Sequence, residues 1–141
     1  PFMGTAHNYD IIRYDDVLLM QAEAYIELNQ PALALPLINQ IRNRAAASTG
    51  RLKKLDGTFA SIYNCKPYTA AGWTQSYART ALQWERRLEF ATEGDRFFDL
   101  VRTGKAVGKI PGFTANKNEL FPLPIEEIQF ANGNWQQNPG Y

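Results

Sequence analysis

The chain has 141 residues, of which 45% are hydrophobic and 13% aromatic, enough apolar material for a packed core and too much for a disordered chain. That length suits one core and makes no case for two domains. Lys and Arg total 15 against 14 Asp and Glu, a net charge of +1, and no basic stripe is present, so nucleic acid is not an expected partner.

The first predicted helix runs over about residues 13–28, with Tyr14, Val17, Leu18, Gln21, Tyr25 and Leu28 as its inward stripe and Asp16, Glu23 and Glu27 opposite. The break Asn29-Gln30-Pro31 follows, and Pro31 suits the first position of a second helix because its missing N–H would be unsatisfied there anyway. That helix carries Ala34, Leu37, Ile38, Ile41 and Ala45 on one face and ends near Ala47. So short a break makes the two helices antiparallel neighbours. Residues 13–46 span 34 positions, the period of a tetratricopeptide helix pair, with no second copy in view.

Residues 48–73 change character. Gly50, Asp56-Gly57, Pro67 and Gly72 punctuate a stretch holding Phe59, Tyr63, Tyr68 and Trp73, and connections this long are often functional. A third helix starts near Thr74 or Ser76, either of which can cap it. Its expected inward stripe is Tyr77, Ala81, Trp84, Leu88 and Ala91. A short fourth helix over residues 96–103 closes at Gly104, completing a charged helix pair over 74–103. Residues 104–141 read as loop and tail, with Leu120-Phe121-Pro122-Leu123-Pro124 held extended by its prolines and one helical turn at residues 125–128. No strand-like alternation supports a sheet, so the fold class is all-α.

The third helix mixes its charges into its apolar face instead of segregating them. On projection, Ala78, Leu82 and Glu89 form an arc beside the main stripe, and Glu85 falls between the two. A buried carboxylate there demands a guanidinium partner. Arg13, Arg42, Arg44, Arg96 and Arg102 are candidates, and arginine's planar fork suits the task. The expected structural network is Arg42, Glu85, Glu89 and Arg96, with Arg42 or Arg96 the donor to Glu85. Glu85 and Glu89 are also about 6 Å apart by helical spacing, which overlaps the carboxyl separation of a retaining glycosidase. Such a pair must face an open cleft, however, whereas this face reads as core, so no catalytic residue is assigned.

Cys65 is the only cysteine and His7 the only histidine, so internal disulfides and the usual His-containing metal sites and triads lack their parts. Nothing in the pattern calls for a metal or cofactor. No apolar run approaches the ~18 residues of a membrane span. Pro1-Phe2-Met3-Gly4 has neither the basic head nor the apolar stretch of a signal peptide, so the chain reads as the middle of something larger, or a processed product.

Six ordered blocks together resemble the SusD/RagB family, the surface glycan-binding lipoproteins of Bacteroidetes outer membranes. They are Arg13-Tyr14-Asp15-Asp16-Val17-Leu18-Leu19-Met20-Gln21-Ala22-Glu23-Ala24, Ile38-Asn39-Gln40-Ile41-Arg42-Asn43-Arg44-Ala45, Glu85-Arg86-Arg87-Leu88-Glu89-Phe90, Glu93-Gly94-Asp95-Arg96-Phe97-Phe98-Asp99-Leu100-Val101-Arg102, Leu120-Phe121-Pro122-Leu123-Pro124 and Asn138-Pro139-Gly140-Tyr141. Asp15 stands where the family usually has a small residue. The resemblance covers the carboxyl-terminal part of such proteins, so residues 1–141 are expected to be one portion of a larger domain. It implies an intact protein at the cell surface of the outer membrane, held by a lipid anchor outside this chain. That protein would capture oligosaccharide or polysaccharide for a TonB-dependent, SusC-like transporter without catalytic activity. The blocks are scaffold, so no binding residue carries over; Tyr63, Tyr68 and Trp73 are the local candidates for stacking on sugar faces. A tetratricopeptide-type protein-interaction adaptor is the alternative reading, and a glycoside hydrolase a weaker one.

Overall fold

The computed structural model describes residues 10–141; His7 and the segment 1–4 considered above lie outside them. Five helices occur in order: α1 (Tyr14–Glu27), α2 (Pro31–Ala46), α3 (Gln75–Glu89), α4 (Asp95–Arg102) and α5 (Ile125–Phe130). Among the described residues the only β feature is one isolated bridge, Lys53 with Phe59. The protein is all-α.

The chain divides into two compact units, one ending at Glu89 and one comprising Phe90–Tyr141, so α3 and α4 of the 74–103 segment belong to different units. In the first unit α1 and α2 form a helical hairpin. Asn29 takes φ +59°, and Gln30 N donates back to Tyr25 O at 2.8 Å, wrapping the chain around the end of α1 so that Pro31 can open α2. Thr74 caps α3: Tyr77 N donates to Thr74 Oγ1 at 3.2 Å, as a threonine before a helix should provide. Helix α3 packs against both arms of the hairpin.

The buried faces differ from the expected stripes. Helix α1 buries Leu18, Leu19, Ala22 and Ile26; α2 buries Ala34, Ile38 and Ile41; α3 buries Ala78, Ala81, Leu82, Glu85 and Arg86. Tyr14, Val17, Leu28, Tyr77, Trp84 and Leu88, all expected inside, are exposed, Trp84 by 51%. Packing of α3 through Tyr77, Trp84 and Leu88 is therefore corrected to packing through its alanine-rich arc. Alanines 22, 34, 78 and 81, each nearly inaccessible, let the three helix backbones approach closely. Bulky rings at those positions would hold them apart.

The second unit is built on α4 and the loops after it. Leu100 and Ala106 are buried, and Phe97 meets Phe98 edge-on at 5.5 Å and Phe113 at 6.3 Å. The extended segment 120–124 is held by the tail. Gln137 accepts from Leu123 N at 2.7 Å and donates to Leu123 O at 2.9 Å, Asn138 donates to Phe121 O at 2.6 Å, and Tyr141 donates to Leu120 O at 3.0 Å. Leu123 stands between two prolines that have no N–H, so one glutamine amide serves the available donor and its carbonyl.

Candidate functional site

Ion pairs tie α3 to the hairpin along its whole length. Glu85, 5% exposed, accepts from Arg42 Nη1 at 2.8 Å. Glu89 accepts from Arg13 Nη1 at 2.9 Å and Arg44 Nη2 at 2.6 Å, and Arg13 also donates to Asp15 at 2.8 Å. Arg86 donates to Asp16 at 2.8 Å, with both side chains largely buried. Arg79 grips Glu27 with two bonds of 2.7 and 2.6 Å at the exposed end.

Arg42 is the donor to Glu85. Burial works against its charge, but the hydrogen bond and charge of Glu85 outweigh that cost and raise its pKa above the ordinary value. Arg96 lies on α4 in the second unit, and within the first unit Arg13 and Arg44 are the donors to Glu89. Arg102 pairs within its own unit, with Asp99, at 2.8 Å. Glu85 gives one oxygen and Glu89 both oxygens to guanidiniums at a helix interface. A glycosidase pair needs both carboxyls directed at a bound sugar.

On the same face of α2, an aromatic cluster gathers the end of the 48–73 loop. Asn39 clamps Tyr68 from both sides, its amide donating to Tyr68 O at 2.9 Å and accepting from Tyr68 N at 2.8 Å. Arg42 Nε donates to Lys66 O at 2.7 Å, and its guanidinium lies 4.5 Å from the Tyr68 ring centroid, a cation–π contact. Tyr68 meets Trp73 at 5.3 Å and Tyr77 at 6.0 Å, while Trp73 and Tyr77 meet edge-on at 5.5 Å. Burial pushes the Tyr68 phenol up, with Arg42 pulling against it.

Of the three aromatics singled out from the sequence, Trp73 is buried, and its indole N–H donates to Pro31 O at 2.8 Å. Tyr68 is half-buried and Tyr63 exposed. The structure thus joins Tyr68 and Trp73 in one cluster with Tyr77, with Tyr63 five residues up the loop from Tyr68. Sequence reasoning missed Asn39 and Tyr77. Asn39 stands three residues before Arg42 on one helix, a spacing that marks a shared face; Tyr77 was assigned to the core.

The second unit carries a shallow cavity of about 250 Å³ lined by Glu127, Phe130, Ala131, Asn134 and Trp135. Among the described residues no group of three or more His, Cys, Asp and Glu could hold a metal ion, and no helix is long and apolar enough to cross a membrane.

A sequence model of the SusD family matches residues 2–119. The chain belongs to the SusD family. Three relatives from Formosa agariphila are SusD-like proteins. SusD-like protein P38 is 34% identical over 137 residues, covering 95% of this chain and 25% of that protein. SusD-like protein P2 is 29% identical over 143 residues, covering 95% and 26%. SusD-like protein P25 is 32% identical over 141 residues, covering 92% and 23%. The chain therefore spans about a quarter of the length of these SusD relatives.

Proposed function

We propose that this chain is part of a glycan-capturing subunit of an outer-membrane uptake system, one that binds oligosaccharide or polysaccharide without cleaving it. In this reading the intact protein is lipid-anchored at the cell surface and delivers its ligand to a TonB-dependent, SusC-like transporter. Membership of the SusD family carries the proposal. The commitment of Glu85 and Glu89 to arginines supports its non-catalytic part.

Within this chain, Tyr63 is the aromatic candidate most open to solvent, and Tyr68, five residues further on, sits on the loop that Asn39 and Arg42 fasten. An aromatic face covers the apolar face of a pyranose and removes it from water. Trp73 packs against the Tyr68 ring at 5.3 Å.

Calorimetry or affinity electrophoresis of the intact protein against a glycan panel tests the proposal. Saturable binding with no product released is the expected result, and Tyr63→Ala should weaken it. Cleavage of any bound glycan overturns the non-catalytic reading, and binding to none overturns glycan capture.

A further inference from the structure

Three asparagines among the described residues adopt a left-handed backbone: Asn29 at φ +59°, Asn116 at φ +62° and Asn132 at φ +48°. Asparagine tolerates this region better than most residues, so the conformation alone does not distinguish them. The nitrogen that follows each one does. Gln30 N donates to Tyr25 O at 2.8 Å, and Lys117 N donates to Thr114 O at 3.3 Å. Gly133 N donates to no acceptor among the described residues, although its neighbours Asn132 N and Asn134 N are both bonded, to Gln129 O at 3.2 Å and Ala131 O at 2.9 Å.

Asn132 and Gly133 are exposed. A Cβ added at Gly133 would meet nothing within 4 Å, so the space beside its Cα is open. Glycine also leaves the backbone free to swing the nitrogen toward the side chain before it.

We infer that Asn132–Gly133 is a site of spontaneous deamidation through a cyclic imide. Gly133 N, losing its proton to water, attacks Asn132 Cγ. The new C–N bond closes a five-membered ring, and the Cγ–Nδ2 bond breaks to release ammonia. Water then adds to one of the two imide carbonyls. Opening on the side-chain side gives aspartate; opening on the main-chain side gives isoaspartate, with one extra carbon in the backbone.

Either product places a new carboxylate between Ala131 and Asn134, two of the residues that line the shallow cavity with Glu127 and Trp135. It also lowers the formal net charge of +1 by one. The isoaspartate product additionally lengthens the turn closed by the Asn134 N to Ala131 O bond.

The test is peptide mass mapping of the purified protein after incubation at mildly alkaline pH. The peptide containing Asn132 should gain the mass of oxygen for NH and split into two isomers, while those containing Asn29 and Asn116 stay unchanged. Gly133→Ala should slow conversion severalfold. Because alanine is disfavoured at φ +82°, Asn132→Gly, which suits the left-handed backbone at φ +48°, provides a second variant, which should keep its fold by circular dichroism and show no acidic shift on isoelectric focusing. The inference is overturned if Asn132 survives while a synthetic peptide of the same local sequence converts, or if Asn29 and Asn116 convert as fast as Asn132.

Discussion

At the scale of single residues, burial and partnership, more than size, decide what a substitution costs. Trp84 is the largest side chain on α3, yet it is half in solvent, with Arg87 5.0 Å from its ring. Trp84→Ala should therefore cost about 1 kcal/mol or less, the range of surface changes. Leu19→Ala, at a position with no exposure, should cost about 2–5 kcal/mol. Glu85→Gln leaves Arg42 facing a neutral amide in a nearly dry interface. Breaking such a pair costs about 3–5 kcal/mol, and the hydrogen bond that Gln retains should bring the loss to the lower end or just below it. Urea denaturation of the three variants gives that order directly. Glu27 offers a pH test. The hydrogen bond from Arg79, opposed by burial and aided by the charge of Arg79, holds its carboxyl below the ordinary value of 4.5. A depressed folded-state pKa adds stability above the unfolded value, and that contribution disappears as pH falls through the folded value. An NMR titration should place the Glu27 midpoint below 4.5, and Arg79→Ala should return it upward.

At the scale of elements, caps and clamps do the fastening. Thr74→Ala removes the hydroxyl that receives Tyr77 N and should cost about 1 kcal/mol, read as a lower thermal midpoint with unchanged helix content. Gln137→Ala strands the N–H and carbonyl of Leu123, and the loss should be about 1–3 kcal/mol if water does not replace the amide. Hydrogen exchange at Leu123 should rise with it. Helices were legible in the sequence because their ends are chemically marked, by Pro31, Thr74 and Gly104. Which face turned inward was not. Helices α1 and α3 each carry two apolar arcs, and periodicity ranks them by bulk. The folded chain instead chose the arcs bearing Ala22 on α1 and Ala78 and Leu82 on α3, where backbones can close up. Glu85 was readable because a carboxylate between two apolar arcs has few stable fates. The clamp of Asn39 on Tyr68 was not, since it joins residues 29 positions apart through an amide that sequence alone leaves unassigned.

At the scale of the molecule, the order of charges on α3 has its own consequence. Arg79 meets Glu27, Arg86 meets Asp16 and Glu89 meets Arg13, so α3 runs antiparallel to α1. It runs parallel to α2, where Glu85 and Glu89 meet Arg42 and Arg44. Sliding α3 by one helical turn, about 5.4 Å, would separate Arg79 from Glu27 and Arg86 from Asp16, while Glu85 and Glu89, four residues apart, overlap each other's places. Alanine and leucine surfaces would tolerate that slip, because their attraction has no direction. The charges act as an address: a helix of equal apolarity but different charge order cannot occupy this groove without burying an unmatched ion. The interface therefore rejects misdocked helices by charge, and exchanging Arg42 and Glu85 for one another should restore much of what either single reversal destroys.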